Sequence, residues 1–98
     1  MRHVDELAQY QVKTPTKVWD VRPTYPPEAK AGGVEGVVVI DARIDVDGCV
    51  RNAEVVRSVP ELDRAALDAV TQWEFSPTVL DGKPMPVLLT ITVRFTLS

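Results

Sequence analysis

The last strand-like segment of the chain constrains the fold more than any other feature. Residues 87–97 alternate between an apolar series at the odd positions and a mostly polar series at the even positions. Successive side chains of a β-strand point to opposite faces, so the segment predicts a strand with one buried and one exposed face. At roughly 3.3 Å per residue it would extend about 36 Å, about twice the usual strand length. Such a strand either pairs along its whole length within the domain or leaves backbone groups available to a partner.

Composition narrows the function classes. The chain has 98 residues, with 45% hydrophobic and 26% charged, which predicts one globular domain with a single core. A net charge of −3 argues against nucleic acid as a partner. With one cysteine (Cys49) and one histidine (His3), the sequence offers no internal disulfide and no thiolate metal cluster. It shows neither a membrane-length apolar run nor a signal peptide.

The chain begins with its weakest signal. Residues 1–14 carry only a hint of amphipathic helix, and we interpret residues 1–19 as an extension or linker remnant before a domain over 20–98. Prolines favour extended backbone as far as Pro27, so the apolar residues around Trp19 form either a short strand or a segment lying across the core. A short helix is predicted over residues 26–31.

A β-hairpin follows. Residues 36–46 predict a strand with one core face, and Asp47-Gly48 predicts a tight turn because glycine accepts a positive φ. The return strand runs from about residue 50 to residue 57. Its apolar residues Val50, Ala53 and Val55 share one face only if the strand contains a bulge, so we predict a bulge or a late start there.

A single main helix comes next. Apolar residues recur with helical spacing at Leu62, Ala65, Ala66, Ala69, Val70 and Trp73. Ser58 and Glu61 fit a capping box at its start. Trp73, together with Trp19, is interpreted as a core anchor, and Asp81-Gly82 predicts a further turn before the last strand.

These elements predict an α+β fold. It contains a three-stranded antiparallel sheet (strand-strand-helix-strand, order 2-1-3), one main helix packed on one face and a short N-terminal helix. In this order the last strand lies at an edge of the sheet.

Chemistry-bearing patterns are weak. Asp45, Asp47, Gly48 and Glu54 match part of a calcium loop, but Arg43 stands at its first ligand position and the flanking segments are strands. No nucleophile, phosphate-binding or paired-carboxylate motif is present. We therefore expect no enzyme, no catalytic residues, no metal and no cofactor.

Several short motifs, in order, carry a family resemblance. They are Pro23-Thr24-Tyr25-Pro26, Gly36-Val37-Val38-Val39, Asp47-Gly48-Cys49-Val50, Leu62-Asp63-Arg64-Ala65-Ala66, Trp73-Glu74-Phe75-Ser76-Pro77, Asp81-Gly82-Lys83-Pro84 and Val93-Arg94-Phe95-Thr96-Leu97. Together they cover about residues 20–98, and this part of the chain resembles the TonB C-terminal domain family.

The resemblance implies a periplasmic domain of an energy transducer that is anchored in the inner membrane in full-length members. Such a domain binds the TonB box of outer-membrane transporters by β-strand addition, coupling inner-membrane energy to uptake of siderophores, cobalamin or similar nutrients. We expect this chain to lack the membrane anchor and the Pro-rich spacer, and to reach the inner-membrane motor complex only through regions it does not contain.

The resemblance also implies the partner-binding residues. In the edge strand they are Val87, Leu88, Leu89, Thr90, Ile91, Thr92, Val93, Arg94 and Phe95, and in the Tyr-Pro segment (residues 23–26) they are Pro23, Thr24, Tyr25 and Pro26. Arg94 either pairs with an acidic residue of the bound segment or serves as an exposed solubilising charge.

Two alternatives remain open. A scaffolding module of the same fold would self-associate through the edge strand as a homodimer, because an unpaired edge can pair with its own copy. In the other alternative, residues 10–22 fold back and cover the edge.

Overall fold

The computed structural model describes residues 15–97, and the weak helical pattern of residues 1–14 lies outside them. The elements, numbered here in chain order, are β1 (Lys17–Trp19), α1 (Pro27–Ala31), β2 (Gly36–Ile44), β3 (Val50–Arg57), α2 (Pro60–Val70), β4 (Glu74–Phe75), β5 (Thr78–Leu80), β6 (Lys83–Met85) and β7 (Val87–Phe95). The predicted α+β class and the short helix at Pro27–Ala31 are confirmed.

The main sheet has three antiparallel strands in the order β3–β2–β7, which confirms the predicted order 2-1-3. Strand β7 is shorter than predicted because it ends at Phe95, two residues before Leu97. The cause is the length of its partner: β2 begins at Gly36, directly opposite Phe95, so the residues beyond have no strand to pair with. Strand β2 likewise ends at Ile44, before the predicted residue 46.

Helix α2 packs over β2 and β3 and closes the core from one side. Its buried residues are Leu62, Ala66, Ala69 and Val70, as the helical spacing predicts. The helix ends at Val70, so Trp73 lies beyond it. Its start also differs from the predicted capping box, because Val59 is the N-cap and Asp63, instead of Glu61, accepts hydrogen bonds from the Ser58 hydroxyl and the Val59 amide.

Strand β3 contains the predicted bulge and a second one. Its pairing with β2 shifts where Asn52 and Val50 face Arg43 and Ile44, which leaves Arg51 as an extra residue. A second shift leaves Val56 as an extra residue near the end of the strand. The first bulge lets Val50, Ala53 and Val55 share the core face despite their irregular spacing.

The turn between β2 and β3 is organised by Asp45. Its carboxylate accepts hydrogen bonds from the amides of Asp47 and Cys49, both at 2.9 Å, and from Arg51 Nε at 2.5 Å. These bonds, led by the one from Cys49, hold the pKa of Asp45 below its usual value. The carboxylate therefore serves the turn and the neighbouring bulge, and the calcium-loop interpretation is not needed to account for it.

A second, smaller sheet joins the start of the described chain to the segment after α2. Strand β1 pairs with β4, which confirms the short-strand alternative for the residues around Trp19. The side chain of Trp19 is 60% exposed, however, so its interpretation as a core anchor is wrong. Trp73 is half-buried: its Nε1 donates to the Val21 carbonyl at 2.9 Å, and Lys17 Nζ lies 4.0 Å from its ring centroid.

The third sheet is the hairpin of β5 and β6. Asp81 and Gly82, both with positive φ, form its turn, so the turn predicted at Asp81-Gly82 is confirmed. The strands on either side of the turn were not predicted. An Asp-Gly pair between two extended segments is itself a hairpin signal and could have identified them.

Candidate interface at the edge strand

Strand β7 presents an edge that is unpaired within the described residues 15–97. Its nine residues pair with β2 in continuous register, from Gly36 opposite Phe95 to Ile44 opposite Val87. On its other side no described strand is hydrogen-bonded to it. Strand β1 pairs with β4, so residues 17–19 do not cover this edge. We call the unpaired side of β7 the open edge.

The direction of the backbone groups along β7 follows from the hairpin turn. The Asp45 N–H donates to the Cys49 carbonyl on the β3 side, so the backbone of the preceding Ile44 faces β7. Val87 lies opposite Ile44, so its backbone groups face β2. Because the direction of backbone groups alternates along a strand, those of the other odd residues of β7 face β2 as well. The N–H of Leu97 points the same way, since it donates to Glu35 Oε2 at 2.6 Å.

The even residues therefore face outward. Leu88, Thr90, Thr92 and Arg94 direct their N–H and C=O groups to the open edge. Their side chains are also exposed, on the face of the sheet away from α2, which we call the open face. One of them is held in place: Thr90 Oγ1 donates to Asp41 Oδ1 on β2 at 2.9 Å. This arrangement suits hydrogen bonding to an added strand.

The odd residues of β7 form its core face. Ile91, Val93 and Phe95 are buried, whereas Val87 and Leu89 at the start of the strand are only half-buried. Burial of one face along the strand fixes its register, because a shift by one residue would expose the whole apolar set. The open edge is thus presented by a strand that cannot slip.

The Tyr-Pro segment is joined to the far end of this strand. The ring of Tyr25 meets that of Phe95 edge to face, with centroids 5.4 Å apart and planes at 89°. Its hydroxyl donates to the Val34 carbonyl. Burial raises the pKa of the Tyr25 phenol, and the nearby Glu35 carboxylate raises it further. Tyr25 therefore connects the two predicted partner-binding groups.

The remaining residues of the Tyr-Pro segment point elsewhere. Pro23, Thr24 and Pro26 line a shallow, open cleft against α2, opposite residues that include Arg64 and Gln72. The structure thus brings Tyr25 to the end of the edge strand and gives its three neighbours a separate surface. A binding role for the segment stays a prediction.

Other chemistry is sparse. Across residues 15–97, no group of three or more His, Cys, Asp or Glu side chains is placed to hold a metal ion. None of the described helices is long and apolar enough to cross a membrane. Cys49 lies in the β2–β3 turn as a free thiol.

Comparison with known proteins identifies the family. The model of the Gram-negative bacterial TonB protein C-terminal family matches residues 21–97. The chain belongs to the TonB C-terminal family. Protein TonB of Vibrio cholerae is 38% identical over 79 residues, covering 79% of this chain and 32% of that protein. Protein TonB of Xanthomonas campestris pv. campestris is 36% identical over 78 residues, covering 78% and 35%.

A solved structure of this TonB family supports the same conclusion. The solution NMR structure of the Pseudomonas aeruginosa TonB CTD matches with a TM-score of 0.72 at 31% identity, covering 86% of this chain and 87% of that one. The chain spans about a third of the length of the two TonB proteins described above. The match therefore concerns the C-terminal domain of TonB.

Proposed function

We propose that this chain is the periplasmic C-terminal domain of a TonB-type energy transducer, and that β7 binds the TonB box of outer-membrane transporters by strand addition. Its role is then to couple energy from an inner-membrane motor complex to nutrient uptake, with the motor reached through other parts of the protein. The observation that carries the proposal is the open edge of β7, with outward backbone groups at four alternate residues.

Strand addition fits this edge for a physical reason. Backbone N–H and C=O groups bind any extended segment, and alternate side chains then supply selectivity. Membership of the TonB C-terminal family supports the choice of partner, because the TonB box of an outer-membrane transporter is the partner that the family resemblance implies. Siderophores and cobalamin are the kinds of nutrient that the family resemblance implies as cargo.

The direct test is an NMR titration of the labelled domain with a synthetic TonB-box peptide. We expect shifts concentrated on the amides of Leu88, Thr90, Thr92 and Arg94, which face the open edge, with smaller shifts near Tyr25. The oligomeric state is measured at the same concentrations, because a homodimer through β7 would occupy the same edge. A monomer that shows no shifts at millimolar peptide would contradict the proposal.

Thr92→Pro gives the matching mutational test. The Thr92 N–H faces the open edge, so proline removes a bond to the peptide and none to β2. We expect at least about tenfold weaker peptide binding with a nearly unchanged midpoint of thermal unfolding. Thr92→Ala is the control and should change binding by less than about fivefold. Equal losses in the two variants would mean that backbone pairing does not carry the affinity.

A further inference from the structure

The two ends of the open edge differ in chemistry. At one end, Leu88 is 80% exposed, more than any other large hydrophobic side chain of the described residues. It lies opposite Arg43 of β2 and beside Pro86, on the rim of two shallow depressions of the open face. A strand added to β7 would bring a side chain alongside Leu88 and remove part of this apolar surface from water.

At the other end the outward residue is Arg94. It lies opposite Val37 of β2, and its guanidinium is in none of the salt bridges formed within residues 15–97. The acidic residue that lines the surrounding depression is Glu35, whose carboxylate accepts a hydrogen bond from the Leu97 N–H. Arg94 therefore presents a positive charge to any strand placed along the edge.

The spacing of the two residues defines the segment that would fit. Leu88 and Arg94 are six residues apart on one face of a strand with no bulge in its pairing, a separation of about 20 Å. A partner strand of seven residues would place its first and last outward side chains beside them. Thr90 and Thr92 lie between Leu88 and Arg94, and their small polar side chains place little restriction on the residues of the partner strand.

The inward side of the same edge adds a second requirement. Helix α2 lies over β2 and β3, and the first half of β7 is less covered, since Val87 and Leu89 are half-buried. The three inward side chains of a seven-residue strand opposite residues 88–94 would lie next to Leu89, Ile91 and Val93. Apolar residues at alternate positions fit there because they would extend the core face by one strand.

We propose, resting on strand addition as the function of this site, that β7 selects an extended segment by its two ends. The segment carries apolar inward residues, an outward apolar residue beside Leu88 and an outward acidic residue beside Arg94. Leu88 and Arg94 are the specificity-determining residues, while the backbone groups between them provide affinity without selection.

Designed peptides test this proposal. The probe has the core Leu-Val-Thr-Val-Thr-Val-Glu, flanked by Gly-Ser pairs and blocked at both ends, and it is also made in reversed order. Whichever order binds more tightly defines the strand direction. In that order the acidic residue is then replaced by lysine, and affinities are measured by NMR titration at low ionic strength, where surface charges are least screened.

For the native domain we expect the glutamate peptide to bind about 2- to 5-fold more tightly than the lysine peptide. Arg94→Glu should invert this preference. Arg57→Glu makes the same charge change on the opposite edge strand and should leave the preference intact. Leu88→Ser should weaken binding roughly 3- to 10-fold, and Val79→Ser, an exposed apolar side chain of the β5–β6 hairpin, should not.

The outcomes separate this inference from the proposed function. If the peptides shift the amides of Leu88, Thr90, Thr92 and Arg94 but Arg94→Glu and Arg57→Glu act alike, strand addition stands and selection by the ends is overturned. An unchanged affinity in Leu88→Ser would likewise overturn the selection of an apolar residue beside Leu88. If no peptide and no TonB box shifts the edge amides, strand addition itself fails, and the inference fails with it.

Discussion

The two edges of the main sheet differ in regularity. Strand β3, at one edge, contains two bulges in its pairing with β2 and carries charged side chains at Arg51, Glu54 and Arg57. Strand β7, at the other edge, keeps one continuous register over nine residues, and Arg94 is its only charged residue. Bulges and charges are the devices by which proteins prevent an edge from pairing with other chains. One edge of this domain is thus protected and the other is left able to pair.

This difference narrows the interpretation of the open edge. An edge strand without bulges or charges risks aggregation. The same sheet has both features on β3, so their near absence on β7 is a specific property of that strand. The regular edge of β7 is therefore consistent with the partner binding proposed for it. The bulges in β3 do not alter the register of β7, since β2 pairs without irregularity on its β7 side.

The largest expected effect is a loss of stability from a substitution at Gly48, in the turn between β2 and β3. A Cβ at this position would lie 1.9 Å from the Phe75 carbonyl oxygen, and Gly48 has a φ of +90°. We expect Gly48→Ala to lower the free energy of unfolding by about 2–4 kcal/mol, because strain at a positive φ is combined with a clash against β4.

The matched control for this variant is Gly82→Ala. Gly82 has a φ of +79° but nothing within 4 Å of the added Cβ, so its loss should be only about 1–2 kcal/mol. Urea unfolding measures both. The comparison between the edges predicts that folded Gly48→Ala still binds peptide at β7 with native affinity, and equal stability losses for the two variants would contradict the role of the clash.

A second prediction concerns the pH dependence of stability that arises from the Asp45 carboxylate in the turn before β3. The folded-state pKa of Asp45 lies below its usual value, so its ionised form stabilises the fold above about pH 4. This contribution should disappear as the pH falls through the lowered pKa. Asp45→Asn should therefore show a shallower loss of urea stability below pH 4 than the native domain.

Arg51→Gln sharpens this test. The largest cause of the lowered pKa is the hydrogen bond from the Cys49 amide, and the amides of Cys49 and Asp47 together lower the pKa more than Arg51 does. The variant should therefore retain most of the pH dependence that Asp45→Asn removes. A pH profile of Arg51→Gln that matches the profile of Asp45→Asn would show that the ion pair, instead of the turn amides, controls the carboxylate.

The smallest expected effect is on peptide binding when the charges of β3 are removed. In the double variant Glu54→Thr and Arg57→Thr the bulges remain, so β3 should still not pair with peptide. Affinity at β7 should stay within about twofold of native. New peptide-induced shifts on β3 amides would show that charge alone protects that edge.

Patterns within single segments predict much of this fold. Alternation predicts β2 and β7, helical spacing predicts α2, and the irregular spacing of Val50, Ala53 and Val55 predicts a bulge. Each of these signals arises from burial of one face against the core, which the local sequence records directly.

Features that depend on distant partners were predicted less well. Trp19 looks like a core residue by type, but β1 pairs with the two-residue strand β4 and leaves its indole exposed. The end of β7 at Phe95 is set by where β2 begins, and the sequence of β7 alone does not contain that information. The candidate site follows the same rule, because its location was predictable while its outward backbone groups required the register.

The attachments of the N-terminal segment have a mechanical consequence. Tension applied to the chain before residue 17 would load β1 first, and its short, irregular ladder with β4 should unzip at low force. The hydrogen bond from Trp73 to the Val21 carbonyl would then bear the load, followed by Tyr25. The Tyr25 ring lies against Phe95 of the edge strand. We therefore expect the applied force to reach β7 last, after the β1–β4 pairing and the Trp73 hydrogen bond have broken in turn.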